Sequence, residues 1–453
     1  MVDAYSFLQD KDNGKIRYKD IDIEDYVKQL ENKRRVAMKN LDKNFNMVQD
    51  ILNKTEEELK KMNPVNVLVI GKTGVGKSTL INNVFRENLA LTGIGRPITK
   101  HLRRISKDGV PMVLYDTRGL ELSLEVQNEI KNEIFDTIKE NKKLGVKEEI
   151  HIAYYCINAN SSRIEPTELE LISELSEKVP VVIVLTQSIG EPATMFKEYI
   201  ENLNLPIYGV VSIMAEDFKV TEDYSILSFG LKELLELSFE IIPEEAKKAF
   251  NNAQQVDIAR KANSARSWAL RYIGTSFGVG FLPIPFSDAS VLVPMQVTLL
   301  AHITAIFGIS MDKATIASLV AAIGGTGGAT FAGRYIVSNV IKLIPGAGTV
   351  VGGFISGSTA AVITTALSMS YIEVLAIIAA GEKDGKYPDL KNIEVLMREK
   401  FQERLKKGSK INKKIDLATD LPKENLELDD SKKDYFLSKF KRLIKRKNSK
   451  NDS

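Results

Sequence analysis

Gly71, Lys72, Thr73, Gly74, Val75, Gly76, Lys77 and Ser78 fall in the order G-x-x-x-x-G-K-S, with Thr79 next. Three glycines ahead of a lysine and a hydroxyl residue suit one kind of partner, a chain of phosphates. Glycine lets the backbone curl so that successive N–H groups point inward at phosphate oxygens. A helix that begins at the lysine adds partial positive charge on the same side. Lys77 then reaches the β- and γ-phosphates, and the Ser78 hydroxyl offers a ligand to Mg2+. The apolar run Val65 to Ile70 supplies the strand from which such a loop springs. The plainer alternative is a glycine-rich strand–helix turn that holds nothing.

A second constellation lies downstream. Asp116 closes the apolar run Met112 to Tyr115, and Gly119 follows it in the pattern D-x-x-G. A carboxylate at a strand end can hold Mg2+ through water beside the phosphates. Gly119, with no side chain, lets its N–H approach a γ-phosphate. A helix N-cap is the plainer reading of Asp116. Between the two motifs, Thr99 precedes the apolar run at Leu102. Its hydroxyl would close on Mg2+ and its backbone on the γ-phosphate; Thr92 competes for that role, and an ordinary turn threonine is the alternative. The candidate catalytic set is therefore Lys77, Thr99 and Gly119, and the candidate metal set is Ser78, Thr99 and Asp116.

These residues need a scaffold that brings strand ends together. Apolar runs at Val65–Ile70, Leu102–Ser106, Met112–Tyr115, Ile150–Ile157, Val179–Leu185 and Tyr208–Ile213 read as strands. Amphipathic stretches at Ser78–Phe85, Leu124–Asn141, Glu165–Ser176, Ala193–Asn202 and Leu227–Ile241 read as helices. That alternation predicts an α/β fold with a mostly parallel sheet and helices on both faces. Residues 20–62 carry apolar residues at helical spacing and end at Pro64, which predicts one or two helices. The expected divisions are an N-terminal helical segment (1–62), the α/β unit (63–243), an apolar Ala/Gly-rich all-α region (244–385) and a charged linker with a basic tail (386–453).

The three phosphate-side elements, in this order, resemble the translation-factor-class GTPases and, within them, Era-like G proteins, over about residues 63–243. The resemblance implies a P-loop NTPase G domain, GTP as substrate and Mg2+ as cofactor. It also implies a guanine motif, [NT]-K-x-D, after the fifth strand. This chain has Thr186, Gln187, Ser188 and Ile189 there. The threonine is kept, while the lysine and the aspartate are replaced. Glu191 carries a carboxylate two positions too late. Losing the aspartate removes charge-assisted hydrogen bonds worth about 1.5–3 kcal/mol each, so guanine selectivity is expected to fall. Ser212 is the one match to the family's last motif. Leu120 stands where Ras-like proteins keep a water-orienting glutamine. Glu121, Arg118 and Lys100 are equal candidates to replace it, and turnover is expected to be slow without a partner. Lys72, one residue into the loop, is expected to face solvent.

Residues 255–381 separately resemble the YcjF-type domain that follows some bacterial Era-like G domains, through Gly280 to Asp288, Val293 to Gln296, Ile306 to Gly308 and Ile344 to Gly348. That resemblance implies no defined chemistry. No formal charge occurs from Ala289 to Met311, Ala314 to Gly333 or Leu343 to Ile372. Such runs match the ~20 residues a bilayer span needs, and small-residue patterns such as those at Gly324–Gly328 allow close helix approach in lipid. Prolines and the interspersed Arg334, Lys342 and His302 suit a packed bundle instead. Both readings stand.

Composition narrows the rest. The 453-residue chain is 44% apolar and 27% charged, with 62 Lys and Arg against 59 Asp and Glu. A net charge of +3 is too small for bulk attraction to nucleic acid. One cysteine excludes a disulfide framework or a multi-thiolate zinc site, and three histidines leave little for a His-rich metal centre. No apolar h-region opens the chain, and a reducing, cytoplasmic setting fits best. The tail is different: Tyr435, Phe436, Phe440, Leu443 and Ile444 share one helical face among eight Lys and Arg from Lys432 to Lys447. A basic amphipathic helix of this kind suits an anionic membrane surface. The expected function is a GTP-hydrolysing switch on the cytoplasmic face of the membrane. A ribosome- or RNA-bound assembly GTPase, a self-assembling dynamin-like remodeller and a scaffold with little hydrolysis or relaxed base selectivity remain alternatives, and a homo-oligomer stays open.

Overall fold

The computed structural model describes residues 48–86, 94–117, 120, 123–278, 289–309, 313–324, 357–383 and 389–411. In chain order its strands are β1 (Val65–Ile70), β2 (Ile94–Pro97), β3 (Leu102–Lys107), β4 (Val110–Thr117), β5 (Ile152–Asn158), β6 (Val181–Thr186), β7 (Gly209–Ser212), β8 (Phe218–Lys219) and β9 (Ser225–Ile226). Its helices are α1 (residues 48–60), α2 (Lys77–Val84), α3 (Leu124–Leu144), α4 (Pro166–Ser176), α5 (Gly190–Asn202), α6 (Leu231–Ile241) and α7 (Glu244–Ala253). A further helical region holds α8 (Ile258–Gly278), α9 (Ala289–Phe307), α10 (Lys313–Gly324), α11 (Gly357–Lys383) and α12 (Leu390–Ile411).

The main sheet runs β2-β3-β4-β1-β5-β6-β7. The pairs β4–β1, β1–β5, β5–β6 and β6–β7 are parallel, while β2–β3 and β3–β4 are antiparallel. This is a G-domain fold followed by a helical region. The strand pleat explains why both faces are covered. In β1, Val65, Val67 and Val69 pack with Leu80, Val84, Leu235 and Phe250 of α2, α6 and α7. Leu68 and Ile70 point the other way, among Ile130, Ile134, Leu171, Leu175 and Phe196 of α3, α4 and α5. All six β1 residues are buried. A strand buried on both sides reads as a continuous apolar run, which is how the sequence presents it.

Each expected strand and helix of this region is present, with bounds shifted by a few residues. The shift is largest at the last helix, expected from Leu227 and found from Leu231. Gly230 takes a left-handed backbone at its N-cap, and Phe229 pairs with Met214 instead of joining the helix. β2, the β8–β9 hairpin and α7 were not expected. β2 and the hairpin strands are too short to show a period. α7 buries Ala246, Ala249, Phe250 and Ala253 at helical spacing, but three of these four are alanines, which make a weak apolar signal.

The helical region has its own core. α11 packs among α8, α9 and α12, burying Ile363, Leu367, Ile372 and Leu375. Its stretch Ala361–Glu382 is the one candidate bilayer-crossing helix among the described residues, with mean hydropathy 1.9, and most of that apolar window is buried by neighbours. Some polar side chains pair inside the bundle: Thr304 and Tyr371 share a hydrogen bond of 2.7 Å, and Arg404 of α12 pairs with Glu373 of α11, whereas the Gln296 amide and the Thr364 hydroxyl are buried without a hydrogen-bond partner among the described residues. The segments 280–288, 325–356 and 412–453, with the basic tail, and residues 20–47 of the N-terminal helices lie outside the described residues.

α1 docks on α9. Val48 and Ile51 are buried in the bundle core, which contributes about 1.5–3 kcal/mol per side chain. Lys54 donates to Thr298 Oγ1 at 2.7 Å, and His302 Nδ1–H donates to Glu58 Oε2 at 3.0 Å. His302 also stacks on Trp268, the only tryptophan of the chain, at 3.7 Å between ring centres. Burial lowers the His302 pKa below its ordinary 6.5; Glu58 works against this, while Lys248 of α7 and Lys61 beyond α1 add to it. The folded state therefore favours neutral imidazole. Its contribution to stability is complete above pH 6.5 and is lost as pH falls below that value. Trp268 emission is expected to drop along an acid titration with a midpoint under 6.5, and His302→Gln is expected to abolish that step.

Candidate functional site

The carboxyl ends of the parallel strands bring the chemistry together, as open α/β sheets do with their ligands. β1 leads into the glycine loop and then α2. Register pairs Val69 of β1 with Asp116 of β4, so the carboxylate stands beside the start of the loop. On the other side, Asn158 of β5 pairs with Thr186 of β6, and Leu185 of β6 pairs with Ser212 of β7.

Within the loop, Gly74 and Gly76 have φ of 79° and 94°, a left-handed region that a side chain strains. Gly71 is fixed by close approach: a Cβ there would lie 2.4 Å from the Cys156 carbonyl oxygen. Gly76 is the N-cap of α2, and the Leu80 N–H to Gly76 oxygen bond, 2.9 Å, closes the first helical turn. The N–H groups of Lys77, Ser78 and Thr79 precede it and have no partner in the helical ladder, which leaves them for an anion. Thr73 and Ser78 are exposed, and Val75 and Thr79 are half-buried. The Lys77 ammonium folds back across the loop, donating to the carbonyl oxygens of Gly71 (2.6 Å) and Lys72 (3.0 Å).

The Cys156 thiol reports the field around this ammonium. Burial pushes its pKa up to about 12; Lys77 pulls it down and Asp116 pushes it up. Both opposite charges therefore flank the end of β5, and the thiol itself stays protonated. Asp116 is half-buried and Ser78 exposed. A carboxylate and a hydroxyl are the hard oxygen donors that Mg2+ takes, so this pair fits the ion.

Lys72 differs from expectation. Its ammonium does not face open solvent but bridges Glu165 (3.0 Å) and Glu168 (3.1 Å) at the start of α4. Burial opposes its charge, but the two carboxylates outweigh this and raise its pKa above the ordinary lysine value. Only its backbone remains for a phosphate. Leu120 is buried at 5% exposure in the α3–α5 core, so it stands as a packing residue where a glutamine would orient water. Arg118, Gly119, Glu121 and Thr92 lie outside the described residues.

Thr99 is turned away from the loop. Its hydroxyl donates to Glu133 Oε2 of α3 at 2.5 Å and accepts the Leu102 N–H at 3.0 Å. The same carboxylate accepts the His101 backbone N–H at 3.1 Å, and Lys100 pairs with Glu129 one turn earlier. A metal role for Thr99 requires this latch to open. One such hydrogen bond is worth about 1.5–3 kcal/mol because a carboxylate is involved, so Glu133→Ala is expected to tighten Mg2+·GTP binding about tenfold or more. GDP binding should not change, since only a γ-phosphate draws on Thr99. An equal change for both nucleotides in calorimetry would contradict the latch.

At the far end of the site, Thr186 is a clamp. Its hydroxyl donates to the Val75 carbonyl oxygen (2.5 Å), which ties β6 to the glycine loop, and it is also 3.1 Å from the Ile157 oxygen. It is buried, so it holds the loop and is not displayed to a base. Gln187 is exposed with φ 53°, a left-handed backbone that costs a non-glycine residue about 1–2 kcal/mol. Its side-chain and backbone oxygens accept from Asn158 Nδ2 (3.2 Å) and Asn160 Nδ2 (2.8 Å). Ser212 is half-buried at the end of β7. Ile189 caps α5, and Glu191 is exposed in its first turn. Sequence reading missed Asn158, Asn160, Glu133 and the α4 carboxylates. The one available signal was the pair of asparagines directly after the apolar run of β5.

Residues 66–187 match the family model described as 50S ribosome-binding GTPase. The chain is 27% identical over 176 residues to tRNA modification GTPase MnmE of Malacoplasma penetrans, covering 38% of this chain and 36% of that protein. It is 37% identical over 71 residues to GTPase Der of Dinoroseobacter shibae (15% and 14%), and 25% identical over 185 residues to Septin-9 of Rattus norvegicus (35% and 33%). The septin GTPase domain of Chlamydomonas reinhardtii overlaps 42% of this chain and 94% of its own at 17% identity, with a TM-score of 0.30. The chain spans about a third or less of the length of these curated relatives. The family model ends at residue 187 and does not reach residues 255–381. With the sheet order, the glycine loop and Asp116 at its side, residues 66–187 have a G-domain fold and are similar to P-loop GTPases.

Proposed function

We propose that the chain binds GTP with Mg2+, hydrolyses it slowly to GDP and phosphate, and works as a nucleotide-driven switch. The observation that carries this reading is the curled loop with the Lys77 ammonium resting on its own carbonyls and Asp116 alongside. An incoming triphosphate replaces those two carbonyls as the lysine's acceptors. Ser78, Asp116 through water and, once it leaves Glu133, Thr99 would hold Mg2+, which would supply positive charge beside the phosphates. Gly119 offers its N–H to the γ-phosphate, and loss of that phosphate lets both loops relax. Leu120 in the core supports slow turnover. The test is phosphate release under single-turnover conditions with Mg2+ and GTP; a chain that binds GTP but releases no phosphate is a scaffold instead.

The switch is proposed to act at the cytoplasmic face of a membrane, with the basic tail on anionic lipid. Co-sedimentation with phosphatidylserine vesicles, lost on removing residues 432–453, tests this. The description of the matched family favours a second reading, a ribosome-associated assembly GTPase. Salt-sensitive co-sedimentation with large ribosomal subunits, without vesicle binding, would select it.

A further inference from the structure

The end of the site away from Asp116 is built of neutral amides, not a carboxylate. The side chain of Gln187 lies over the phosphate loop: its Nε2 is 3.7 Å from where a Cβ on Gly76 would project. Its Oε1 accepts from Asn158 Nδ2, its backbone oxygen accepts from Asn160 Nδ2, and Asn158 Oδ1 in turn accepts the Asn160 N–H at 2.9 Å. Three carboxamides from two strand ends thus brace one another, and Gln187 is held in a left-handed backbone to join them. Gln187 and Asn160 are exposed, so the group faces outward beside the loop. The residue at the family's aspartate position, Ile189, offers no acceptor at all.

We propose that Asn158, Asn160 and Gln187 form the base-reading edge of this site and accept guanine and adenine nucleotides alike. The inference rests on the nucleotide reading above. The chemistry is one of donors and acceptors. A carboxylate only accepts; it suits the N–H groups of guanine and repels the lone pair on adenine N1. A carboxamide carries both functions on one planar group, and the bracing bonds leave Gln187 Nε2 as a donor and Asn160 Oδ1 as an acceptor. The same ring of amides therefore answers guanine's acceptor O6 or adenine's donor N6. Strong discrimination comes from buried polar groups left unmatched by the wrong ligand, and an exposed edge that offers a donor and an acceptor together leaves none.

The test is calorimetry on the full chain with Mg2+ and three probes: GTP, ATP and tripolyphosphate, which has no base. GTP and ATP are expected to bind within about tenfold of each other. Gln187→Gly removes the amide while relaxing the left-handed backbone, so its fold is not at risk. It is expected to weaken both nucleotides about three- to tenfold and leave tripolyphosphate unchanged, and Asn158→Ala is expected to do the same. Ile189→Asp is expected to shift preference towards GTP by about tenfold or more. A preference for GTP beyond about 100-fold in the unaltered chain, or amide variants that bind both nucleotides as before, would overturn the inference. Binding of none of the three probes overturns the nucleotide reading itself, and this inference with it.

Discussion

Lys77→Ala is expected to weaken Mg2+·GTP binding by about 50- to 100-fold. In the proposed complex the ammonium would make two charge-assisted contacts with phosphate oxygens, each worth about 1.5–3 kcal/mol, or about 3–6 kcal/mol together. In the free protein it gives up the bonds to Gly71 and Lys72, which offsets about 1–3 kcal/mol. The remainder centres on about 2.5 kcal/mol, and each 1.4 kcal/mol is about tenfold. Without nucleotide the variant should unfold close to the unaltered protein, because Lys77 is half-buried and its loop partners can turn to water. Calorimetry for binding and denaturant unfolding for stability separate the two effects. An unchanged affinity would mean that the loop does not grip phosphate.

The second large effect concerns the junction behind the site. The C-terminal end of α2 is fixed to the residues that enter the helical region. Arg86 N–H donates to the Ala253 oxygen and Gln255 N–H to the Val84 oxygen, both at 2.9 Å. Arg86 also donates to Asn252 Oδ1 (2.8 Å), and Asn252 Nδ2 donates to the Ala305 oxygen of α9. Beneath them Lys261 is buried at 2% exposure and donates to the Asn252 and Phe307 carbonyl oxygens (2.9 and 2.5 Å). Its amine closes the C-terminal end of α9 by donating to the last carbonyl of that helix. Burial, with Arg86 nearby, drives its pKa well below the ordinary lysine value.

Lys261→Met keeps the stem and loses both hydrogen bonds. The Asn252 oxygen keeps a partner in Arg86 Nε at 3.1 Å, so the main loss falls on Phe307. The expected cost is about 2–3 kcal/mol, and Lys261→Ala, which also leaves a cavity, about 3–5 kcal/mol. Urea midpoints measure both. Midpoints within error of the parent would show that the ammonium's burial cost cancels its bonds. This junction is also the physical route from the phosphate loop to the bundle, because α2 begins at the loop and ends on Arg86.

The pattern of buried strands and amphipathic helices from 65 to 241 was legible because a period of two or 3.6 residues is written locally. The glycine loop was legible for the same reason: its conformation, its lysine and its hydroxyl all lie within one turn of chain. β2 and the short hairpin escaped because two to four residues carry no period. α7 escaped because its apolar stripe is short and, apart from Phe250, made of alanine.

What the sequence by itself determined is a polyanion-gripping loop at the head of the first buried strand of a mostly parallel sheet. Only the tertiary structure decided what its neighbours do: Thr99 bound to Glu133, Lys72 to Glu165 and Glu168, Thr186 to the loop's Val75, and Gln187 to Asn158 and Asn160. Each of those pairs is separated by about 30 residues or more along the chain. Their meeting depends on how strand ends and helices pack, and no local spacing of residue types encodes that.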